Sequence, residues 1–297
     1  MNTQNEAIFI PGNDPAYQRW RKQKLVQYEA CVADPIVSIK NPTTLSPVES
    51  HALRQRCEKM NVVIYAMDPQ LDMGESDVVA LGQQLGLVRL DNNLYAQNDS
   101  ISALEVSDAG RQSDYIPYTS RPLSWHTDGY YNAENEVIQG WSLHCVRNAK
   151  QGGCNQLLDH EIAYIQLRDE DPRYIQALMQ DDVMTIPANI ENGETIRPER
   201  TGPVFSLHKQ SQHLHMRYSA RARNIIWKDD DVTRDAVDRL NQILTRDSPF
   251  HLSHCLEPGQ GVISNNVLHN RSEFHDPDDA PGRLIFRARY YDRVQAN

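Results

Sequence analysis

The sequence predicts a mixed α/β protein with a double-stranded β-helix (jelly-roll) core, wrapped by N-terminal and inserted helices. Helix signals concentrate before Gly86, whereas the chain beyond it changes to short strand-like runs separated by turn residues. Many short strands with helices gathered at one end are typical of a double-sheet barrel. The 297 residues, 39% of them apolar, suffice for one buried core. We therefore expect a single domain, 1–297, with 1–60 as an N-terminal helical extension.

Capping residues mark the predicted helices of the N-terminal part. Asp14 begins a segment that runs to about Cys31, and residues 46–49 (SPVE) form a capping box with Pro at the first helical position. Ser76 is expected to cap a third helix that ends at Gly86.

The predicted strands are short apolar runs bounded by turn residues. Residues 61–67 (NVVIYAM) are apolar and β-branched, which favours a buried strand. Beyond Gly86 only 233–246 has clear helical spacing, and a tight turn at 257–260 is expected to join two strands. The further predicted strands are 137–146, 183–186, 204–207, 213–219, 250–256, 261–268 and 283–291.

Charge argues against a nucleic-acid partner. The formal net charge is -10 and the pI is near 5.5, whereas binding a phosphate backbone needs a basic face. The one dense basic run, 19–24 (RWRKQK), is interpreted as a solvated helix face. We expect a small-molecule substrate instead.

Cysteine use and hydropathy predict a cytoplasmic protein that does not enter a membrane. Five cysteines are scattered without a CxxC pair, so neither a disulfide framework nor a structural zinc site is expected. The first fifteen residues lack the charged start and apolar stretch of a signal peptide, and no apolar run is long enough to span a bilayer.

His126 and Asp128 stand two residues apart in the sequence 124–129 (SWHTDG). On a strand, residues i and i+2 project from the same face, so both side chains would reach one point. Alone this is weak evidence, because roughly one or two such His-x-acid pairs are expected by chance in a chain of this composition. A surface histidine beside an unrelated aspartate is the simpler interpretation of the pair.

His269 changes that balance because it ends an apolar run, 265–271 (NNVLHNR). A buried imidazole needs a polar partner, and a metal ion is one. Two histidines and one carboxylate form the facial triad of iron(II) oxygenases, which leaves three positions open on an octahedral ion. Zinc would favour a closed tetrahedral site or a single open position.

The last predicted strand places Arg283 and Arg287 on one face, about 13 Å apart along the strand. Their guanidinium groups suit the two carboxylates of one dicarboxylic acid, because the planar fork binds carboxylate bidentately and stays charged when buried. Pairing with surface acids is the alternative interpretation of these two residues.

These residues together resemble the taurine dioxygenase (TauD/TfdA-like) family of iron(II)/2-oxoglutarate oxygenases. Residues 125–128 (WHTD) look like the family's proximal metal motif, and 265–271 resembles its distal-histidine strand, in which an Asn precedes a VLHxR pattern. Arg283 matches the family's 2-oxoglutarate arginine, and Arg287 matches a second arginine four residues on. The resemblance covers about 61–291.

The resemblance implies Fe(II) held by His126, Asp128 and His269, with 2-oxoglutarate and O2 as co-substrates and succinate and CO2 as products. Arg283 would neutralise the far carboxylate of 2-oxoglutarate and Arg287 would assist the near one. Related halogenases lack the carboxylate ligand, so Asp128 favours hydroxylation over halogenation. The family usually carries a 2-oxoglutarate-binding Thr where this chain has 154–155 (CN). Asn155 is expected to donate an amide hydrogen bond in its place.

The substrate is expected to be a small polar molecule of the amino acid, betaine or sulfonate type. Tyr130 would share the face of His126 and Asp128 if their strand continued. Residues 215–221 (HMRYSAR) resemble a family stretch near the substrate, which suggests Arg217 or Arg221 as the partner of an anionic group. An arginine on a solvated edge is the alternative interpretation of both.

Two other functions use the same residues. A zinc or manganese cupin-like hydrolase or isomerase would share the three metal ligands but would not need Arg283 and Arg287. A non-catalytic barrel that binds a small acid would need no metal. Family habit and exposed edge strands also suggest a homo-oligomer.

Overall fold

Capped helices lie between and around the strands of the protein. The computed structural model describes residues 8–9, 11–12, 14–91, 101–106, 116–209, 211–221 and 225–295. The capping box at 46–49 is present: the Ser46 side chain accepts from the Glu49 N–H, and Glu49 accepts from the Ser46 N–H. The α-helices are α1 (Asp14–Ala33), α2 (Pro47–Met60), α3 (Glu75–Gln84), α4 (His160–Glu170), α5 (Pro172–Leu178) and α6 (Asp231–Thr245).

The strands are short, and the buried run predicted at 61–67 is one of them. In chain order they are β1 (Ile36–Ser38), β2 (Val62–Ala66), β3 (Ile101–Leu104), β4 (Leu123–His126), β5 (Gly140–Arg147), β6 (Gln151–Gly152), β7 (Asn155–Leu158), β8 (Met184–Ile186), β9 (Asn189–Glu191), β10 (Glu194–Arg197), β11 (Arg200–Gly202), β12 (Phe205–Leu207), β13 (Leu214–Met216), β14 (Ile226–Trp227), β15 (Leu252–His254), β16 (Gln260–Ser264), β17 (Leu268–Arg271), β18 (Phe274–His275) and β19 (Leu284–Tyr290).

Two larger sheets face each other. One has six strands in the order β1-β2-β16-β5-β19-β3, and the other has four in the order β15-β7-β17-β4. They approach closely enough for Trp141 of β5 to contact His269 of β17, with 4.6 Å between ring centroids. The predicted mixed α/β class is confirmed. The predicted helical extension, 1–60, also contributes β1, which pairs in parallel with β2.

Both faces of the six-stranded sheet are buried, each in its own apolar core. Along β19, Ile285 belongs to the core between the sheets, whereas Ala288 and Tyr290 belong to the core under α2 and α3. The alternation predicted for the last strand is therefore confirmed, and it directs Ile285, Arg287 and Arg289 toward the space between the sheets.

The turn at 257–260 does more than join two strands. Its hydrogen bond from Gln260 N–H to Glu257 O is present, but β15 pairs with β7 and β16 pairs with β2 and β5. The chain thus passes from one sheet to the other. It crosses back at Asn266, where a positive φ of 58° divides the strand predicted at 261–268.

Two predicted features of the helices were wrong. Gly74, not Ser76, caps α3, because the Asp77 carboxylate accepts from the Gly74 N–H. Helices α4 and α5 were missed in the region expected to be almost entirely strands. Helix α4 is buried on most of its circumference, so its apolar residues show no one-sided helical spacing.

Helix α1 contains the run 19–24, whose last residue is not on a solvated face as predicted. Lys24 is 4% exposed and its ammonium lies 2.6 Å from Asp159 and 2.5 Å from Glu161. Burial alone would lower the pKa of Lys24, but the two carboxylates together raise it. The charged lysine therefore ties α1 to the start of α4.

A disulfide joins Cys154 to Cys255, contrary to the expectation of unpaired cysteines. The β7–β15 register brings the two together, since Asn155 lies opposite His254. They are separated by 101 residues in the chain, so spacing in the sequence gave no sign of the pair. Among the residues described, no helix is long and apolar enough to cross a membrane.

We expect Lys24→Met to lower the free energy of unfolding by about 3 to 5 kcal/mol, because it leaves two buried carboxylates without a cation. Lys22→Met, on the exposed face of the same helix, should change it by less than about 0.5 kcal/mol. Urea unfolding followed by circular dichroism measures both. Equal stability of the two variants would show that the buried ion pairs contribute little.

Candidate metal centre

His126 and His269 lie directly opposite each other on the antiparallel strands β4 and β17. Opposed residues project from the same face of a sheet, and here that face looks into the space between the two sheets. The ring centroids are 4.2 Å apart. Strand pairing alone thus brings together two imidazoles that are more than a hundred residues apart in the sequence.

Asp128 reaches the same point from a turn, not from the strand. Strand β4 ends at His126, and Asp128 begins a turn in which Gly129 has a φ of +68°. A Cβ at Gly129 would also lie 2.4 Å from Ile138. The tight turn therefore requires glycine, and the strand-face argument for His126 and Asp128 was wrong although the convergence that it predicted is present.

The three side chains are spaced as metal ligands. Asp128 Oδ1 lies 3.5 Å from His126 Nε2 and 3.9 Å from His269 Nε2. Of the residues that the structure describes, these three form the group whose ligand atoms all lie within 4.8 Å of one another.

Backbone carbonyls orient both imidazoles. His126 Nδ1 lies 2.8 Å from the Ser124 carbonyl, and His269 Nδ1 lies 3.0 Å from the Val267 carbonyl. A ring nitrogen that faces a carbonyl carries a proton, so in the neutral form of each ring the Nε2 that points toward Asp128 has a free lone pair. That tautomer is the one a divalent metal ion requires.

Asn266 lies in the connection between β16 and β17, and its side chain hydrogen-bonds to the Asp128 turn. Its Oδ1 accepts from the Asp128 N–H at 2.8 Å, and its Nδ2 donates to the carbonyls of Asp128 and Ile138 at 3.0 and 2.8 Å. Asn266 is 1% exposed. Its three bonds fix the carboxylate ligand relative to the histidine strand.

Electrostatics keep the ligands in metal-binding protonation states. Burial alone would raise the pKa of Asp128, but the neighbouring His126 imidazole and the charges of Arg287 and Arg289 hold it well below its usual range. Burial, with help from His126 and Arg287, lowers the pKa of His269 to about 3. The site therefore has one anionic and at least one neutral ligand at neutral pH.

Arg283 and Arg287 are both buried, and Arg287 lies near this group. Arg287, 8% exposed, acts electrostatically on both Asp128 and His269, and its Nε and Nη2 are buried without a hydrogen-bond partner. Arg283, 5% exposed, lies just before β19 with its guanidinium 5.2 Å from the Phe274 ring centroid. Burial lowers the pKa of Arg283.

Asn155 lies on the same interior face as His269. It is opposite Arg271 in the β7–β17 pairing, two residues from His269 along β17. Its Nδ2 donates to the Asn270 carbonyl at 2.9 Å, while its buried Oδ1 has no partner. The amide donor foreseen for a co-substrate is thus already engaged in one bond.

The three predicted substrate residues lie in different surroundings. Tyr130 is in the Asp128 turn, so the expectation that it shares a strand face with His126 was wrong. Arg217 is largely buried, and its Nη2 donates to the Met184 carbonyl at 2.6 Å. Arg221 is half-buried, and its backbone N–H donates to Ser219 Oγ.

Sequence reasoning missed several residues that surround the site. Asn266 was noticed only as part of the histidine strand. The available signal was its residue type, because asparagine adopts a positive φ, as it does here, more readily than most residues. Trp141 contacts His269, and Ser219 forms an isolated bridge opposite His126. Arg289 lies two residues beyond Arg287 on β19, and its Nη1 donates a hydrogen bond to the Tyr131 hydroxyl at 3.1 Å.

The donor set fits iron(II): two oriented imidazoles and one carboxylate would occupy one face of an octahedral ion and leave room for a chelating acid and oxygen. The buried Arg287 guanidinium lies near these residues, forms no ion pair within the described part of the chain, and suits the acid. These features define the class of the protein as the non-haem iron(II) oxygenases that use 2-oxoglutarate.

The chain belongs to the taurine catabolism dioxygenase TauD, TfdA family, whose family model matches residues 25–289. A uridine-5'-phosphate dioxygenase of a Streptomyces species is 28% identical over 200 residues, covering 66% of this chain and 71% of that relative. A uridine-5'-phosphate dioxygenase of an Amycolatopsis species is 28% identical over 184 residues, covering 58% of this chain and 62% of that one.

Solved structures of similar fold are non-haem iron oxygenases. The oxygenase OrfP, in complex with iron, succinate and (3S)-hydroxy-L-Arg, gives a TM-score of 0.61 at 16% identity, covering 85% of this chain and 82% of that one. Asparagine oxygenase, with Fe(II), a hydroxyasparagine and succinate, gives 0.56 at 15% identity, covering 89% of each chain. At these identities the likeness shows the fold.

We expect Asn266→Gly to weaken iron(II) binding by about 10- to 100-fold, the usual effect of losing a group that orients a metal ligand. Glycine tolerates the positive φ, so the change removes the three side-chain bonds without backbone strain. Anaerobic iron(II) titration measures the affinity. Asn192→Gly, at an exposed position that also has a positive φ, is the matched control, and equal affinities in the two variants would contradict the role of Asn266.

Proposed function

We propose that this iron(II)- and 2-oxoglutarate-dependent dioxygenase holds its iron through His126, Asp128 and His269. The observation that carries the proposal is the convergence of two Nε2 atoms on Asp128 Oδ1 while both Nδ1 atoms already face carbonyls. A zinc or manganese hydrolase and a metal-free binding barrel were the alternatives, and membership of the dioxygenase family favours neither.

We propose further that the two facing sheets form the double-stranded β-helix expected from the sequence. The crossings from one sheet to the other at 257–260 and at Asn266 support this proposal, as does the position of the three ligands between the sheets. In such a core, ligands on neighbouring strands converge without any long connecting loop.

Arg283 is proposed to bind the far carboxylate of 2-oxoglutarate, with Arg287 nearer the metal. Arg287 acts electrostatically on Asp128 and His269, which supports its assignment to the carboxylate nearer the metal. Arg283 lies four residues earlier in the chain, with its guanidinium beside the Phe274 ring. Asn155 is proposed as a third contact, through the amide that faces the same interior.

When bound, iron(II) would activate O2, the oxidant, so that one oxygen atom enters succinate as 2-oxoglutarate loses CO2 and the other hydroxylates the substrate. The chain's own task is to position and to exclude water. The ligand side chains are only 12%, 6% and 9% exposed for His126, Asp128 and His269. Trp141 covers His269 from the opposite sheet, which leaves the His126 side as the approach for a substrate.

The substrate is proposed to be a small polar molecule with an anionic group, for which Tyr130, Arg217 and Arg221 are the candidate contacts. The two bacterial relatives are named for uridine 5'-phosphate, which makes a nucleoside 5'-monophosphate the first compound to test. Amino acids, betaines and sulfonates follow it. The cytoplasmic location and the homo-oligomer stay predictions.

Anaerobic addition of iron(II) and 2-oxoglutarate to the metal-free protein should produce the weak visible charge-transfer band of the chelate. His269→Ala should lose the band because it removes one of three ligands, whereas His51→Ala, on the exposed side of α2, should keep it. A folded wild-type protein without a band would refute the proposed centre. A band retained in His269→Ala would refute the ligand assignment alone.

Arg283→Gln should weaken 2-oxoglutarate binding by about tenfold or more, since it removes a charged pair to one carboxylate. Binding of 2-oxopentanoate, which lacks the far carboxylate, should barely change. Titration of the chelate band with each acid measures both affinities. Arg56→Gln, a surface position paired with Asp34, is the control, and an equal loss for the two acids would reassign Arg283 to the near carboxylate.

A further inference from the structure

Three arginines between positions 197 and 217 form no ion pair with any carboxylate that the structure describes. Arg197 of β10, Arg200 of β11 and Arg217, which follows β13, are here called the arginine triplet. Within the described part of the chain no ion pair joins any of them to a carboxylate, and carboxylates are absent from the causes that shift the pKa values of Arg197 and Arg217. The triplet therefore concentrates positive charge that no carboxylate among the described residues neutralises.

Arg200 and Arg217 share one face of the β8–β11 pair. Residues two apart on a strand project to the same side, so Arg200 and Gly202 lie together on β11. A Cβ at Gly202 would be 3.0 Å from Arg217 Nη1, so the glycine makes room for the guanidinium. Arg217 Nη2 is held by the Met184 carbonyl at 2.6 Å and lies 3.4 Å from the Arg200 carbonyl.

Arg197 joins this pair from the neighbouring hairpin. Its Nη2 donates to the Pro187 carbonyl at 2.7 Å, and its guanidinium lies 5.9 Å from the Tyr131 ring centroid. It acts electrostatically on Arg200 and on both tyrosines of the Asp128 turn. The backbone thus holds two of the three guanidinium groups, and the tyrosine rings form an adjoining wall.

Unused hydrogen-bond donors accompany the charge. The Nε atoms of Arg200 and Arg217 are buried without a hydrogen-bond partner among the described residues. A buried donor without an acceptor is destabilising, and more so when it is charged. Burial also lowers the pKa of Arg217 to about 10, so this guanidinium is destabilised by its surroundings. An anion with several acceptor oxygens would remove both penalties.

The triplet lies on the substrate side of the metal centre. Arg217 is two residues before Ser219, which bridges to His126, the most exposed of the three ligands. Tyr131, under Arg197, accepts a hydrogen bond from Arg289, whose charge acts on Asp128. Both connections lead from the triplet to the candidate metal ligands.

We propose that Arg197, Arg200 and Arg217 form a subsite for the phosphate monoester of the substrate. A phosphate monoester carries close to two negative charges at neutral pH and three acceptor oxygens, which match three cations better than a single carboxylate does. This inference rests on the proposed function, because the phosphate would hold a carbon of the same molecule next to the iron. It also adds Arg197 and Arg200 to the contacts predicted from the sequence.

The test compares uridine 5'-monophosphate, uridine and inorganic phosphate as ligands of the anaerobic protein with iron(II) and 2-oxoglutarate bound, by calorimetry. Wild type should bind the monophosphate at least about tenfold more tightly than uridine. Arg200→Gln should weaken the monophosphate and phosphate by about tenfold or more and leave uridine unchanged. Arg173→Gln, exposed and paired with Asp171 on α5, is the matched control for lost charge.

The charge-transfer band of the iron(II)–2-oxoglutarate chelate distinguishes failure of the phosphate subsite from failure of the metal centre. A band that persists in Arg200→Gln together with weakened phosphate binding supports the subsite. A band with no preference of wild type for monophosphate over uridine, or with equal phosphate affinity in Arg200→Gln and Arg173→Gln, overturns the subsite and leaves the oxygenase intact. Absence of the band in wild type instead refutes the proposed metal centre.

Discussion

The pairing of β17 with β4 is the constraint on which the rest of the site depends. It sets His269 opposite His126, and the turn that follows β4 brings Asp128 to the same point. Asn266 locks that turn to the connection before β17. The Asn266 hydrogen bonds and the β17–β4 pairing involve the same two chain segments. A shift in strand register would therefore separate all three candidate ligands at once.

The neutralisation of buried arginines near Asp128 is a second constraint on the interior. The Asp128 carboxylate is surrounded by arginines, of which Arg289 is neutralised by Asp91 whereas Arg287 has unpaired N–H groups. A protein normally does not bury charge in this way without a partner. The excess of cations over anions between the sheets is explained if 2-oxoglutarate and an anionic substrate complete the site.

Local sequence signals predicted elements that are stabilised locally. The capping box at 46–49 and the apolar run of β2 behaved as expected, since each depends on neighbours within a few residues. Helix α4 was missed because tertiary contacts bury it on most sides and erase the amphipathic pattern. The burial of Lys24 and the pairing of Cys154 depend on residues more than a hundred positions away, which no local pattern encodes.

The sequence by itself determined which residue types are available: an imidazole and a carboxylate two positions apart, a second imidazole on an apolar strand, and arginines on the last strand. It also carried the family resemblance, which the family model confirms. Only the tertiary structure decided that Asp128 acts from a turn, that Asn266 holds it, and that Arg197 and Arg200 join Arg217. The physical reason is that sheet register and chain crossings bring distant segments together, and these follow from the packing of the whole core.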